Sequence, residues 1–311
     1  MNRSQDFPWR IGIDLGGSKI EGILLDSEGR VCGQQRVATP QGDYRATVAA
    51  IAALVAQLEQ LSGAASSVAD TIPVGIGAPG AISPHTGRVK NSNSTCLIGQ
   101  PLDQDLAALL RRPVRIANDA DCFALSEAVD GAGAGHDSLF GAILGTGVGG
   151  GVVIGQQLLR GANAIAGEWG HNPLPWPQAG EQPGPRCYCG QYGCIETFLS
   201  GPALAADHQR HYGGAPLTAM AIDRLARQGD REAEATMQRY EERLARALAT
   251  LINIIDPHVI VLGGGVSNMA RLYDNVPRLW CRHVFSDQVV TRLLPARFGD
   301  ASGVRGAAWL W

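Results

Sequence analysis

The sequence predicts an α/β fold in which a strand–turn–strand unit occurs twice. A β-hairpin is predicted over residues 10–25, with a glycine-rich turn between its two strands. An apolar strand at residues 139–144 is followed by the glycine-rich stretch 145–151 and by a further strand at residues 152–155. Segments with apolar residues at helical spacing lie between and after these units. Two hairpins of the same kind, in a chain that also carries long helices, indicate a duplicated α/β fold.

Length and composition restrict the class of protein. The 311 residues predict about two domains, and an apolar fraction of 45% is ample for a core. A net charge of −3 gives no basic footprint, so nucleic acid is not the expected partner. No run of about 18 apolar residues and no signal-peptide pattern is present, so neither a membrane nor export is expected. Residues 1–9 read as a short polar extension. Seven cysteines, an odd number, without an export signal predict reduced thiols and a cytoplasmic location.

The turn of the first hairpin is a candidate phosphate-binding loop. It contains Gly16, Gly17, Ser18 and Lys19, and glycines allow backbone N–H groups to approach a phosphate closely. Asp14, at the end of the preceding strand, is suited to holding Mg²⁺ through water. The spacing differs from that of a Walker loop, and a strand rather than a helix follows. On this stretch alone, an ordinary hairpin turn is an equally good interpretation.

The segment after the first hairpin begins with a helix. Asp43 is a plausible N-cap, and apolar residues at positions 48, 51, 54, 55 and 58 follow at helical spacing. A strand at residues 74–77 then leads into a tight turn over residues 78–82, which contains Gly80. A short helix is predicted at residues 103–111.

The next strand, residues 114–117, ends at Asn118 and Asp119. Ligands in α/β sheets gather at the carboxyl ends of strands, so Asp119 is placed as a catalytic carboxylate would be. It is also placed to cap a helix predicted over residues 120–134, and the two roles are compatible.

The second glycine-rich stretch contains Gly145, Thr146, Gly147 and Gly149. It matches the pattern G-x-G-x-x-G, but the dinucleotide fingerprint requires a helix after the glycines. Here the chain continues as a strand. The stretch is therefore interpreted as a second phosphate loop, a counterpart of the first.

A compact cluster of metal-binding residue types follows. Cys187, Cys189 and Cys194 lie within eight residues, and His171 lies sixteen residues before the first of them. Three thiols and one imidazole form a set that tetrahedral structural zinc prefers. The alternatives are three unrelated cysteines in a loop or a disulfide pair.

Two carboxylates, Glu168 and Glu196, bracket this cluster. A metal that fixes the chain at both ends can hold two acceptor groups in place for a polyhydroxylated ligand. Taken singly, either glutamate would more often be an ordinary solvated loop residue.

The C-terminal part is predicted to be mainly helical. Helices are predicted at residues 203–211 after Ser200, from Thr218 to about residue 227, and from Asp230 to residue 255. The buried strand 259–262 ends in three glycines, of which Gly264 and Gly265 offer bare backbone to a flat adenine or ribose ring. A short helix at residues 302–310 closes the chain.

These motifs, in this order, resemble those of the ROK family of sugar kinases and repressors. The resemblance covers residues 11–311 and includes the two hairpin loops, the strand-end Asn-Asp, Glu-x-Gly-His, Cys-x-Cys-Gly-x-x-Gly-Cys-x-Glu and the triple glycine. Ser18 stands where many members have threonine, which retains the hydroxyl. Residues 90–95, 170–176 and 302–311 most resemble bacterial fructokinases (manno-fructokinases).

The resemblance implies an actin-like, hexokinase-type fold with ATP bound in a cleft between two lobes. The small lobe would comprise residues 1–117 plus about 298–311, and the large lobe residues 118–297, including the zinc loop. Asp119 would be the general base that takes the proton from a sugar hydroxyl. The sugar would be contacted by Gly80, Asn118, Asp119, Glu168, His171 and Glu196, with His171 shared with zinc. Mg²⁺ would accompany ATP, and a homodimer is usual in the family.

Three functions are then to be compared. The first is an ATP-dependent hexose kinase acting on the 6-hydroxyl of D-fructose, with a glucokinase or N-acetylhexosamine kinase as alternatives. The second is a transcriptional repressor, which needs a helix-turn-helix domain before the first loop, where only about ten residues precede residue 11. The third is a non-catalytic sugar sensor or an actin-like ATPase. The presence of Asp119 and of both phosphate loops favours the kinase.

Overall fold

The computed structural model describes residues 7–63 and 72–311. Most of the polar extension predicted at residues 1–9 lies outside the described residues. The strands are β1 (Trp9–Leu15), β2 (Lys19–Asp26), β3 (Val31–Ala38), β4 (Val74–Ala78), β5 (Ala81–Ile82), β6 (Val89–Lys90), β7 (Val114–Asn118), β8 (Ser138–Leu144), β9 (Val148–Ile154), β10 (Gln157–Leu158), β11 (Val259–Gly263) and β12 (Arg292–Pro295). The helices are α1 (Tyr44–Leu61), α2 (Leu102–Leu110), α3 (Asp119–Val129), α4 (Glu196–Leu199), α5 (Gly201–Tyr212), α6 (Ala219–Arg227), α7 (Arg231–Ile255), α8 (Arg271–Trp280) and α9 (Ser302–Ala308).

Two five-stranded sheets have the same topology. The first has the order β3-β2-β1-β4-β7 and the second the order β10-β9-β8-β11-β12. In each, the hairpin and the strand after it are antiparallel, and the two remaining strands pair parallel to the first strand of the hairpin and to each other. The predicted duplication is therefore confirmed at the level of strand order and direction.

Helices α3 and α9 pack against each other between the two sheets. Their close approach depends on glycine, because a Cβ on Gly306 of α9 would lie 1.6 Å from the carbonyl oxygen of Cys122 on α3. On the first sheet, a Cβ on Gly12 or Gly75 would lie about 2 Å from carbonyl oxygens of α9 (2.1 and 1.8 Å). On the second sheet, a Cβ on Gly151 would lie 2.9 Å from the carbonyl oxygen of Ala120 on α3. These contacts seat α3, and with it Asp119, at the centre of the molecule.

Each sheet has its own apolar core on the face away from α3 and α9. The core of the first sheet is built with α1 and α2, and that of the second sheet with α4 to α8. The predicted helix caps are confirmed: side chains of Asp43, Ser200, Thr218 and Asp230 each accept a backbone N–H three residues later.

The structure corrects several predicted boundaries. Helix α3 ends at Val129, not at residue 134, because Gly131 and Gly133 follow and a buried Glu127 carboxylate accepts the N–H of Ala132. The second hairpin turns over residues 145–147, and β9 already begins at Val148. The glycines of β9 face α3 and Phe140. They allow the strand to pack closely against these neighbours and do not form part of the turn.

Seven of the elements named above were not predicted from the sequence: β3, β5, β6, β10, β12, α4 and α8. Strand β3 is mostly exposed and polar, so it lacks the apolar pattern of the predicted strands. Helix α8 has an apolar face, but Pro277 inside it is a signal against a helix. Among the described residues, no helix is long and apolar enough to cross a bilayer.

Candidate active site and metal centre

Asn118 and Asp119 lie where β7 passes into α3. The Asn118 side-chain oxygen caps the helix by accepting the N–H of Ala120 at 2.9 Å, while its Nδ2 donates to the Gly80 carbonyl oxygen at 3.1 Å. Oδ1 of Asp119 also accepts the Ala120 N–H at 2.9 Å. Asp119 therefore helps to cap the start of α3, which is the second role that the sequence predicted for it. Its side chain stays open to the cleft.

Gly80 connects this corner to the segment that follows β6. A Cβ on Gly80 would lie 2.3 Å from the carbonyl oxygen of Lys90 and 3.0 Å from the nitrogen of Ser92, and its φ is +83°. Only glycine fits such a position. The segment that most resembles fructokinases therefore packs directly against the residue that accepts a hydrogen bond from Asn118.

Three aspartates share this region. Burial, followed by the negative charges of Asp119 and Glu21, raises the pKa of Asp14 to about 6. Burial raises the pKa of Asp119 as well, because the walls of the cleft displace water around its carboxylate. Burial, followed by the charges of Glu168 and Asp119 and opposed by Arg160, raises the pKa of Asp121 to about 7. The region thus holds an excess of negative charge that a cation would neutralise.

The first glycine-rich turn is a tight β-turn between β1 and β2. The Gly16 N–H donates to the Lys19 carbonyl oxygen at 3.0 Å, and Thr39 donates to the Gly16 carbonyl oxygen at 2.7 Å. Gly17 and Ser18 are exposed at its tip. Lys19 is the first residue of β2 and its Nζ lies 3.4 Å from Glu21 Oε2. Asp14 is in β1 and is less exposed than the tip.

The second turn is connected to one of the predicted sugar ligands. Oε2 of Glu196, at the start of α4, accepts the Val148 N–H at 2.9 Å and lies 2.7 Å from the position of a Cβ on Gly147. Gly145 accepts the N–H of Gly201 from the start of α5 at 2.8 Å. Gly149 lies in β9, opposite Ile143, and so does not belong to the turn for which it was predicted. Thr146 is exposed.

The triple glycine reaches the same turn from β11. A Cβ on Gly264 would lie 2.5 Å from the Leu144 carbonyl oxygen, and its φ of +79° also favours glycine. No atom lies within 4 Å of the position of a Cβ on Gly265, so its backbone has an open face. Gly145 therefore lies beside both Gly201 and Gly264, and Gly264 is exposed.

The predicted metal ligands converge. The ligand atoms of His171, Cys187, Cys189 and Cys194 all lie within 4.8 Å of one another. Cys187 Sγ lies 3.6 Å from His171 Nδ1, and Cys189 Sγ lies 3.6 Å from Cys194 Sγ. A tetrahedral zinc with Zn–S bonds of about 2.3 Å has ligand-to-ligand edges of roughly 3.8 Å, so the set fits such an ion. All three thiols are free, so no disulfide joins them.

His171 uses its two ring nitrogens on different sides. Nδ1 faces the thiols, and Nε2 lies 3.0 Å from the hydroxyl of Tyr188. The two rings meet edge to face, with centroids 5.1 Å apart. Burial of the hydroxyl, followed by the charges of Glu196 and Glu168, raises the pKa of Tyr188 to about 12. The structure thus brings Glu168, His171 and Glu196 to one place. Tyr188 lies there too, although the sequence did not indicate it as a site residue.

A buried ion network supports the loop that precedes the cysteines. Arg246, 1% exposed in its side chain, donates to both carboxylate oxygens of Glu181 and to the carbonyl oxygens of Pro175 and Trp176. Arg243 joins Glu181 to Asp207 of α5 at 2.7 and 2.9 Å. The sequence signal for this network is weak: it consists of two arginines, three residues apart, in the mostly buried stretch of α7.

Comparison with known proteins places the chain in a family. The family model of the ROK family matches residues 10–311. An N-acetyl-D-glucosamine kinase of Escherichia coli O9:H4 (strain HS) is 42% identical over 307 residues, which cover 96% of this chain and 98% of that protein.

Two solved structures are also similar. The ROK hexokinase from Thermus thermophilus is 31% identical, with a TM-score of 0.84 over 97% of each chain. A ROK family glucokinase from Streptomyces griseus, in complex with glucose and AMPPNP, is 31% identical, with a TM-score of 0.74 over 96% of this chain and 98% of that one. The predicted α/β fold of the actin-like, hexokinase type is confirmed by these likenesses. The chain is a member of the ROK family.

Proposed function

We propose that the protein is an ATP-dependent hexose kinase in which Asp119 is the general base. The observation that carries the proposal is the position of Asp119, at the carboxyl end of β7 and at the start of the helix that separates the two duplicated sheets. It lies open to the cleft, next to Asp14 and to the corner formed by Asn118 and Gly80. The relatives named as hexokinase, glucokinase and N-acetyl-D-glucosamine kinase support the same activity.

The chemistry follows from these positions. Phosphoryl transfer needs alignment of the two oxygens and neutralisation of charge more than covalent assistance. Asp119 accepts the proton of the sugar hydroxyl as that oxygen attacks the γ-phosphate. The exposed tips of the two turns, at Gly17, Ser18 and Thr146, are suited to the phosphates. The open face at Gly265 is suited to the base. Mg²⁺ would offset the charge of ATP, and Asp14 is the residue we assign to it, through water.

We assign a structural zinc to His171, Cys187, Cys189 and Cys194. Purified protein should contain about one zinc per chain, and Cys189→Ser should lower both the zinc content and the melting temperature, because the binding energy of a structural zinc is folding energy. Cys32→Ser is the matched control, since Cys32 is an exposed thiol on β3, away from the cluster. Full zinc content and an unchanged melting temperature in Cys189→Ser would contradict the assignment.

D-Fructose, phosphorylated at its 6-hydroxyl, is the substrate we favour. The choice rests on the resemblance of residues 90–95, 170–176 and 302–311 to fructokinases. The first of these segments packs on Gly80, beside Asn118, and the second contains His171. N-Acetyl-D-glucosamine is the second candidate, because the relatives at 41–42% identity carry that name.

A panel of hexoses at equal concentrations decides between these substrates. Fructose should give the highest kcat/KM, mannose and glucose lower values, and N-acetyl-D-glucosamine a low one. If glucose or N-acetyl-D-glucosamine exceeds fructose by about tenfold or more, a difference of about 1.4 kcal/mol, the kinase proposal stands and the fructose proposal is wrong. The homodimer, the cytoplasmic location and the two-lobe boundaries stay predictions from the sequence.

A further inference from the structure

Tyr188 lies at the predicted sugar site, beside His171, and the sequence motifs assign it no role. It lies between two proposed zinc ligands, Cys187 and Cys189, on a turn closed by the Gly190 N–H to the Cys187 carbonyl oxygen at 3.1 Å. A second bond, from the Cys187 N–H to Gln191 at 2.8 Å, fixes the same turn. The backbone of Tyr188 is therefore held on both sides, which allows the side chain to act as a fixed part of the site.

The ring and the hydroxyl of Tyr188 have different surroundings. The side chain is 83% exposed, which is unusual for a large aromatic group. Its hydroxyl nevertheless lies 3.0 Å from His171 Nε2, and the two rings meet edge to face with centroids 5.1 Å apart. An aromatic ring held against the functional residues yet open to solvent has a free face that a bound ligand would cover.

We infer that Tyr188 is a specificity-determining residue that selects hexoses without a bulky substituent at the end of the sugar held by His171. Its hydroxyl shares with His171 Nε2 the hydrogen bond to one sugar hydroxyl. Its ring occupies the space beside that hydroxyl, where an acetamido group would have to fit. Exclusion by a fixed side chain is an effective means of discrimination between similar ligands. This inference rests on the kinase proposal and requires that the preferred hexose lacks an acetamido group, but not that it is fructose.

Two substitutions separate the functions of hydroxyl and ring. Tyr188→Phe removes only the hydroxyl, so KM and Kd for fructose should rise about 3–10-fold with kcat within about twofold, as expected for loss of one neutral hydrogen bond. Tyr188→Ala also opens the space, so the ratio of kcat/KM for N-acetyl-D-glucosamine to that for fructose should rise about tenfold or more. Zinc content should be unchanged in Tyr188→Phe, and calorimetric fructose binding gives a readout that is independent of turnover.

Tyr192→Phe and Tyr192→Ala are the matched controls. Tyr192 is an exposed tyrosine of the same loop, 57% exposed, and its backbone pairs with Arg186. Both variants should keep the wild-type KM and substrate ratio. If Tyr188→Phe binds fructose with the wild-type Kd, and Tyr188→Ala leaves the ratio unchanged, the inference is wrong. If Tyr188→Ala loses zinc, its substrate ratio no longer reports on the ring alone. The Kd of Tyr188→Phe for fructose then tests the inference.

The two proposals are tested by different measurements. The ranking of sugars by the wild type tests the choice of fructose. A wild type that prefers glucose or mannose overturns only the choice of fructose, and an unchanged ratio in Tyr188→Ala overturns only the role of Tyr188. A wild type that prefers N-acetyl-D-glucosamine contradicts both.

Discussion

At the scale of single residues, Asp121 adds a further carboxylate beside Asp119. Asp121 is two residues after Asp119, and its Oδ1 is buried without a hydrogen bond. Burial, followed by the charges of Glu168 and Asp119, raises its pKa from 3.8 to about 7. We assign Asp121 no catalytic role. The effect of its buried charge on the free energy of unfolding can therefore be measured separately from any effect on turnover.

Asp121→Asn should therefore stabilise the ligand-free protein at pH 8. Between pH 3.8 and about 7 the folded state binds more protons at Asp121 than the unfolded state does, so the free energy of unfolding falls as the pH rises through this window. Asparagine removes that titration. The gain at pH 8 should be on the order of 2 kcal/mol, and it should vanish near pH 4.

Denaturant unfolding of wild type and variant at pH 4 and pH 8 measures this difference. Asp287→Asn, on an exposed loop, is the control and should change little at either pH. An equal gain at both pH values would mean that Asp121 is not the penalised carboxylate.

A site residue could be predicted from the sequence only where its residue type suited the chemistry and its position in a strand, turn or motif also indicated a site. Asp119 and the four metal ligands satisfied that condition: strand ends collect ligands, and the cysteine spacing has few other uses. Tyr188 did not, because nothing in its sequence context separates it from an ordinary loop tyrosine. Gly149 was assigned to the wrong element for a related reason: a run of glycines does not indicate which of them form a turn and which allow a strand to pack closely.

At the scale of elements, the zinc loop depends on helix α7. Arg246 ties that helix to the Pro175 and Trp176 carbonyl oxygens and to Glu181, all within the loop between His171 and Cys187. The pair with Glu181 is buried on both sides. Removal of one partner leaves a buried charge without compensation, which is far more costly than the net value of the pair.

Arg246→Met should lower the free energy of unfolding by about 3–5 kcal/mol and should weaken zinc retention during dialysis against a chelator. Arg30→Met is the control, because Arg30 pairs with Asp26 on the surface with 71% of its side chain exposed. Exposed pairs contribute about 0–1 kcal/mol. If both variants unfold alike, or if Arg246→Met keeps its zinc as tightly as wild type, the loop does not depend on this network.

Helices with a strong apolar face and a capping residue were predictable at this scale. The caps at Asp43, Ser200, Thr218 and Asp230 gave their starts correctly. Helix α3 was predicted too long, since no apolar signal marks the position where Glu127 turns inward. Its carboxylate accepts the N–H of Ala132 in the following loop and the N–H of Arg297 after β12. The edge strands β3, β10 and β12 were missed because β3 is mostly exposed and the other two are short, so their apolar pattern is weak.

At the scale of the whole molecule, two sheets of one topology flank α3 and α9. The duplication gives each sheet one candidate phosphate-binding turn, and the helix between the sheets starts at Asp119. One segment of the second half also contacts the first: Lys90 Nζ donates to the Asn163 carbonyl oxygen at 2.6 Å, and Arg160 donates to the Ile116 carbonyl oxygen at 3.4 Å. From the sequence, only the repeat of the hairpins could be predicted, not the full strand order. The packing of α9 between the sheets could not be predicted, because it depends on glycines that are far apart in the chain.

ADP release measured with and without a hexose, in wild type and in Asp119→Asn, tests the central claim most directly. The wild type should release ADP at a rate that depends on the sugar. Asp119→Asn should bind the sugar, keep the fold and lose roughly 10²–10⁴-fold in kcat, the range for loss of a general base. ADP release that is indifferent to every hexose, or near-wild-type turnover in Asp119→Asn, would contradict the account.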